Sequence, residues 1–242
     1  MIVADTRHRL TRDDAQLVLQ LIGGGSRDEQ LRTEAILRDG GLDELLDDPR
    51  LLPALIERRQ GSRASLPLIA YVMVRGALCR AGERDRRLAD YVTSILLHFG
   101  LGGRAQRIAV YDDEIYDTLA ALVRDVDVGD PTRAFLIRAQ LGNYALWLSG
   151  IFPDFIESRR FRRGGPDLGY YEDLGRRGYE LAAEHRLASH YGMRDLHASV
   201  AERFPQLRVA LNRVSDEFLF PHTHSPDKLL RQVRDDNRWK PT

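Results

Sequence analysis

The segment SLPLIAYVMVRGALC, residues 65–79, has apolar side chains on nearly every side of the helix that it predicts. Ser65 is placed to cap the first turn, where Pro67 is tolerated because its missing N–H would have no intrahelical partner there. A helix that is apolar all round must be buried, so this one is central to the fold. Its single charge, Arg75, needs either a path to the surface along its stem or a buried partner.

Apolar residues recur at helical spacing along almost the whole chain, and alternating strand-like runs are nearly absent. The sequence therefore predicts an all-α fold, a bundle-like arrangement of about eight to ten helices. One helix is expected over 112–126, and another, with Asp130 as its cap, from Pro131 to near Ser149. A further helix is expected after Pro205, with these apolar residues aligned: Leu207, Leu211, Val214 and Phe218.

No Pro/Gly/Ser-rich linker long enough to separate two domains interrupts the sequence, and no unit recurs at a fixed period. We therefore predict a single all-α domain over residues 1–242. Within it, short helices are expected over 11–60, the main helical core over 65–222, and a polar C-terminal tail over 226–242.

The overall charge of the chain does not favour a strongly anionic partner. Lysine plus arginine total 36, the same as aspartate plus glutamate, so the chain has no net charge at neutral pH. No whole-protein field favours nucleic acid or an anionic membrane, and any attraction of that kind must be local. With 43% hydrophobic and 30% charged residues, the composition is typical of a soluble globular protein.

Cys79 is the only cysteine, which excludes an intramolecular disulfide and a zinc site built from several thiolates. The start of the chain lacks the basic region and apolar run of a secretory signal. No segment has the roughly 18 consecutive apolar residues that a membrane span needs. A reducing compartment suits such a chain, so we expect a cytoplasmic protein without membrane contact.

The seven histidines do not form a recognisable metal site. Glu184 and His185 are adjacent, about 100° apart on a helix, whereas a di-iron site needs Glu-x-x-His on inward-facing helices. His222 and His224 share a loop but have no obvious third ligand nearby. A nucleophile elbow and a phosphate-binding loop are also missing. We predict no metal and no cofactor, and we identify no catalytic set.

Positive charge is concentrated in RRFRRGGPDLGYY, residues 159–171. Gly164 and Pro166 end any helix there, so the arginines are expected to fan out from a loop. Asp167 is the expected cap of the next helix, and it would compete with an anion bound between that helix start and the guanidinium groups. The alternative is a solvated connection whose tyrosines pack on the core. The candidate ligand-binding residues are Arg159, Arg160, Arg162, Arg163, Tyr170 and Tyr171.

Arg138, Gln140 and Asn143 lie in the middle of an otherwise apolar helix. An unpaired buried polar group costs about 1 to 3 kcal/mol, so we expect these side chains to be paired. They form either a polar network that fixes how the helices pack or part of a ligand pocket. In the second case, Arg138 and Asn143 are further ligand-binding candidates.

A complete helical core without a recognisable catalytic set favours a non-catalytic protein-interaction or regulatory module. Its partner would be another protein or a second copy of the chain. The alternative is an enzyme or sensor for a small anionic ligand that uses the arginine-rich loop 159–171. Nucleic-acid binding through the same loop is the weakest hypothesis, because the chain has no net positive charge.

Overall fold

The computed structural model describes residues 1–57, 62–100, 122, 130–222 and 226–238. The described residues form helices and connecting turns and no strand, which confirms the predicted all-α fold. They divide into two compact units, an N-terminal unit of residues 3–97 and a C-terminal unit of residues 1–2 and 98–242. The single domain expected over the whole chain stays a prediction.

Short helices precede two longer ones in the first half of the chain. They are α1 (Arg12–Gly23), α2 (Arg27–Gly40), α3 (Leu42–Leu46), α4 (Leu51–Glu57), α5 (Leu66–Arg80) and α6 (Arg86–Gly100). Side chains cap the starts of several of them, because the first N–H groups of a helix have no intrahelical acceptor. Thr11 and Asp14 form a reciprocal capping box at α1. Ser65 accepts the N–H of Leu68 at 3.3 Å, which confirms the cap predicted for α5.

Helix α5 is central to the N-terminal unit, and Leu68, Tyr71 and Leu78 are fully buried on it. Asp14 of α1 is itself buried and accepts hydrogen bonds from the N–H and the hydroxyl of Ser65, both at 2.8 Å. The same carboxylate closes the capping box of α1. One buried charge therefore joins the starts of two helices.

Arg75 has a carboxylate partner, as expected of a charge in an apolar helix. Its Nε and Nη2 donate to the two oxygens of Asp47 at 2.6 and 3.0 Å. Arg86 of α6 donates to the same carboxylate at 2.9 Å and to Glu44 at 2.7 Å. Burial alone would raise the pKa of Asp47, but the hydrogen bonds from Arg75 and Arg86 outweigh it and lower the pKa.

Six α-helices are described in the C-terminal unit. They are α7 (Pro131–Ile151), α8 (Pro153–Arg163), α9 (Leu168–Glu184), α10 (Arg186–His190), α11 (Arg194–Val214) and α12 (Pro226–Arg238). A π-helical turn, Ser215–Leu219, extends α11. Asp130 caps α7 and Asp167 caps α9, as predicted. The short helices bring the described number above the eight to ten that were expected.

Helices α7, α9 and α11 pack closely together, and we call them the three-helix core. Their approach depends on residues without a side chain. A Cβ atom at Gly178 of α9 would lie 2.8 Å from the backbone nitrogen of Gly142 on α7. A Cβ atom at Gly175 would collide with the ring of Phe204 on α11. Glycine at these positions lets the helix backbones come together.

The helix expected to begin after Pro205 begins earlier, at Arg194, and Pro205 lies inside it. A proline in a helix interior removes one backbone hydrogen bond, which is why it suggested a helix start. Leu196, Val200 and Phe204 are buried ahead of the proline. Their packing keeps this part of the chain helical.

Within the polar tail expected over 226–242, residues 226–238 form a helix, α12. Pro226 occupies the first position of this helix, where a proline is tolerated. Residues 239–242 lie outside the described residues, as does the helix expected over 112–126 apart from Leu122, which is buried. Among the described helices, none combines the length and the apolar character needed to cross a membrane.

Candidate functional site

The basic residues of the candidate site lie on the last turns of α8 and not in a loop. Gly164 follows them in the left-handed conformation, with φ of 64°, and donates its N–H to the carbonyl of Arg160 at 3.0 Å. The loop predicted over 159–171 is therefore wrong, because only residues 164–167 connect α8 to α9. Cations in the last turn of a helix are stabilised by its dipole, which favours a helix through these arginines. We call the following residues the arginine cluster: Arg159, Arg160, Arg162 and Arg163.

All four side chains of the arginine cluster are exposed. Arg160 lies 3.8 Å from Glu157, and its guanidinium carbon lies 5.9 Å from the centroid of the Phe161 ring. Within the part of the chain that the structure describes, no carboxylate forms an ion pair with Arg159, Arg162 or Arg163. The cluster therefore presents positive charge to solvent at the end of a helix.

Tyr170 and Tyr171 lie in the first turn of α9, where Asp167 accepts the N–H of Tyr170 at 2.9 Å. The two rings meet edge to face with centroids 5.7 Å apart, and only Tyr171 is buried. Burial raises the pKa of Tyr171, and the positive charge of Arg159 opposes the rise. The structure thus brings Arg159 close to Tyr171. Asp167 already occupies an N–H that an anion at this helix start would need.

Arg138 and Asn143 lie at another level of the three-helix core. Asn143 accepts a hydrogen bond from the hydroxyl of Tyr179 at 2.7 Å. Tyr179 is more than two turns beyond Tyr171 on α9, about 12 Å along the helix axis. Burial lowers the pKa of His185, and the charge of Arg138 lowers it further. These contacts do not join Arg138 or Asn143 to the arginine cluster, and their role in ligand binding stays a prediction.

Helix α12 is placed with three of its charged side chains inward. Lys228, Arg231 and Asp235 are all buried. Arg231 Nη2 lies 2.9 Å from Asp216 and 3.2 Å from Asp154, while Lys228 Nζ lies 3.4 Å from Asp216. At the other end, Asp235 lies 2.7 Å from a guanidinium nitrogen of α11. We call these contacts the α12 ion-pair network, which consists of Lys228, Arg231 and Asp235 with Asp154, Asp216 and Arg208.

Arg208 of α11 is buried and is the partner of Asp235 in this network. Its guanidinium donates to both oxygens of Asp235, at 2.7 and 3.1 Å. It also donates to Glu172 at 2.5 Å and to Asn212 at 2.6 Å. Burial disfavours the charged form of Arg208, but Asp235 and Glu172 outweigh that effect and raise its pKa. Arg208 therefore stays charged, and its guanidinium donates to two carboxylates and one amide.

The apolar side chains of α12 face solvent. Leu229, Leu230 and Val233 are 64%, 59% and 58% exposed, and their spacing places them on one helix face. We call these three residues the apolar stripe. A surface helix normally buries its apolar face and exposes its charges. Helix α12 has the opposite arrangement. None of its described apolar side chains is buried.

A cavity of about 200 Å³ lies between α12 on one side and α11 with its π-helical turn on the other. Its walls are formed by Val209, Asn212, Arg213, Asp216, Glu217, Arg231, Gln232 and Asp235. Asp216 pairs with Arg231 and accepts a hydrogen bond from Gln232 at 2.9 Å. Asp235 is held by Arg208. Residues that line the cavity therefore also attach α12 to the rest of the unit.

Two of the described histidines, His185 and His197, have contacts that account for them structurally. His185 begins α10, where its Nδ1 accepts a backbone N–H at 3.3 Å. His197 is buried between the rings of Phe135 and Tyr179, and burial lowers its pKa to about 4. Over the ranges that the structure describes, no three His, Cys, Asp or Glu side chains are grouped to hold a metal ion. His224 lies outside these ranges.

Sequence reasoning missed the apolar stripe because it treated residues 226–242 as a polar tail. A signal was present. Ser225 and Pro226 have the pattern of a helix start, and apolar residues recur after them at helical spacing. Charged residues concealed this pattern, since they outnumber the apolar residues over 226–238.

Comparison of the chain with protein-family models, curated proteins and solved structures finds no match. The function of this chain is therefore inferred from its own residues and their contacts. Two of its features face solvent and are suited to binding, the arginine cluster and the apolar stripe. They differ in what they would bind, since one presents charge and the other presents apolar surface.

Proposed function

We propose that the protein is a non-catalytic helical interaction module that binds a partner protein through the apolar stripe. The observation that carries this proposal is the exposure of the stripe on a helix whose charged face is buried. Exposed apolar surface is unfavourable by about 25 cal/mol per Å², and a partner that covers it recovers this free energy. Contiguous apolar surface of this kind marks interaction sites in soluble proteins.

The spacing of the stripe favours an apolar groove as the surface of the partner. Leu229 and Val233 are four residues apart and Leu230 lies beside them, which is the pattern of a helix anchored in a groove. Because α12 already presents the stripe outward, binding requires no rearrangement of this chain. Arg234 is exposed next to the stripe, so an acidic rim on the groove would be complementary.

Photo-crosslinking from the stripe tests the proposal. A photoreactive phenylalanine analogue is placed at position 230 of the full-length chain, cells are irradiated, and adducts are identified by mass spectrometry. We expect one protein to be crosslinked reproducibly and its adduct to be lost when Leu229 and Val233 are replaced by serine. As a matched control, Leu31→Ser and Leu66→Ser remove side chains that are 58% and 59% exposed in the N-terminal unit. These should leave the adduct unchanged.

Several results would overturn the proposal. The proposal fails if the adduct survives the double substitution Leu229→Ser/Val233→Ser, or if no adduct forms at all. An adduct with a second copy of the chain, together with a concentration-dependent mass in light scattering, assigns the stripe to self-association. Sedimentation with phosphatidylcholine and phosphatidylserine vesicles that is lost in the same double variant assigns it to a lipid surface.

A second candidate function is an enzyme or sensor for a small anionic ligand. It is favoured by the exposure of Arg159, Arg162 and Arg163, which have no ion pair in the described part of the chain. Planar guanidinium groups bind phosphates and carboxylates through paired hydrogen bonds. In a thermal-shift screen of nucleotides and inorganic phosphate, we expect stabilisation that is lost in Arg162→Ala/Arg163→Ala. It should persist in the control Arg176→Ala/Arg177→Ala, and uniform absence of shifts discards this candidate.

A further inference from the structure

The buried charges of α12 lie in the reverse of the order that a free helix favours, whereas Asp227 in its first turn and Arg238 at its end follow the favoured order. Lys228 lies in its first turn and Asp235 lies near its C-terminal end. The helix dipole favours anions at the start of a helix and cations at the end. With 13 residues, α12 also has a length at which isolated helices are marginal in water. The segment 226–238 alone is therefore expected to lose its helical structure.

The same order of charges fits the surface beneath α12. The cations near its start meet Asp154 and Asp216, and the carboxylate near its end meets Arg208. Hydrogen bonds between opposite charges are stronger than neutral ones. The contacts that position α12 are thus selective for cations followed by an anion, at the spacing of residues 228, 231 and 235.

Among the described contacts of α12, this network is the main attachment, and hydrogen bonds from Lys228 to the carbonyl of Phe220 and from Gln232 to Asp216 add to it. Burying paired charges costs desolvation, which their mutual attraction roughly offsets. No described apolar side chain of α12 is buried, so burial of apolar surface by such side chains does not add to the stability of the attachment. Removing one partner leaves a buried charge uncompensated, which is strongly unfavourable. Loss of Asp216, the partner of both Lys228 and Arg231, should therefore release the helix.

We propose that Asp154, Asp216 and Arg208 are positioning residues for the apolar stripe. By holding the charged face of α12, they keep segment 226–238 helical and keep the stripe on one exposed face. The inference rests on the proposed function, in which the stripe binds a partner protein. It adds that partner binding is controlled by charges that do not touch the partner.

Hydrogen exchange measured by mass spectrometry on the full-length chain reports the order of α12 without any partner. Asp216→Asn keeps the shape of the side chain and removes its charge. We expect exchange in residues 226–238 to become roughly tenfold faster or more, because hydrogen bonds between charged groups are lost. Exchange in α11 should be unchanged, which shows that the unit remains folded. Asp154→Asn is the second variant, and Asp173→Asn, an exposed carboxylate of α9, is the matched control.

The crosslink from position 230 supplies the second readout. Faster exchange of 226–238 together with a weaker adduct supports the inference. Unchanged exchange in both Asp154→Asn and Asp216→Asn overturns it and leaves the proposed function standing. Faster exchange with a full adduct also overturns it, because the stripe would then bind without an ordered helix. If the unsubstituted chain gives no adduct, the proposed function fails and the inference about partner binding fails with it.

Discussion

The three-helix core and α12 belong to the same unit but are held by different interactions. In the core, backbones approach at Gly142 and Gly178, and the ring of Tyr179 fills the space beside them. Helix α12 instead contacts the rest of the unit through charged side chains, and its apolar side chains face solvent. The core depends mainly on the fit of surfaces, with one buried ion pair between Arg208 and Glu172, and the attachment of α12 depends on the pairing of charges.

This difference predicts two kinds of response to substitution. A packing conflict in the core cannot be relieved by water, so it should lower the stability of the whole unit. Charged groups released from α12 are hydrated in solvent, which limits the net cost of detaching the helix. Substitutions in α12 should therefore change local order while the global free energy of unfolding changes little.

Gly178→Ala should produce the largest effect. A Cβ atom there would lie 2.8 Å from the nitrogen of Gly142 and 3.0 Å from the carbonyl oxygen of Arg138. These are backbone atoms that cannot rotate away, so the helices must separate. We expect the free energy of unfolding of the C-terminal unit to fall by about 3 kcal/mol. Urea denaturation followed by the fluorescence of Trp147 on α7 measures it.

Gly76→Ala is the control for this prediction. Gly76 lies in α5, and a Cβ atom there would lie 3.5 Å from Leu52 Cδ2, which is an ordinary contact. Alanine in a helix interior is favoured over glycine by up to about 1 kcal/mol, so stability should be unchanged or slightly higher. If Gly178→Ala is no more harmful than Gly76→Ala, the glycine contacts do not govern core packing.

His197 makes the core sensitive to acid. Burial lowers its pKa to about 4, whereas an unfolded histidine titrates near its ordinary value of about 6.5. Below that value the unfolded chain binds the proton more readily, so stability is full above the ordinary pKa and falls as the pH falls towards 4. We expect His197 to account for a loss of about 2 kcal/mol between about pH 7 and pH 4.5.

Comparison with His197→Gln isolates this contribution, because all other titrating groups are common to both chains. Urea denaturation over the same pH range should give a shallower pH dependence for the variant. Equal pH dependence in the two chains would mean that His197 is hydrated in solution and not buried between aromatic rings.

The features that the sequence predicted correctly are either local, such as helix caps, or follow from the free-energy cost of burying an unpaired charge. The caps Ser65, Asp130 and Asp167 act within one helical turn, so neighbouring residues suffice to identify them. The need of Arg75 for a partner follows from the cost of a buried unpaired charge. That the partner is Asp47 does not follow, because the pair depends on how separate helices pack.

The features that sequence missed depend on distant residues. The signals at Gly164 and Pro166 were read correctly as a helix end, but the arginines before them were wrongly assigned to the loop. The spacing of the apolar stripe predicts an amphipathic helix without showing which face is buried. That is decided by Asp154 and Arg208, which lie far from α12 in the sequence. Asp216 is nearer in the sequence, but its pairing with Lys228 and Arg231 also depends on how α12 folds back against α11.

Leu229→Ala should have the smallest effect on stability, and it tests the orientation of α12 directly. Leu211 on α11 is the matched core residue, and truncation of such a buried leucine costs about 2 to 5 kcal/mol. Because Leu229 is exposed, its truncation should change the free energy of unfolding by less than about 0.5 kcal/mol. Urea denaturation of Leu229→Ala and Leu211→Ala compares them. A loss for Leu229→Ala that approaches the loss for Leu211→Ala would mean that α12 buries its apolar face, and both proposals built on the stripe would fail.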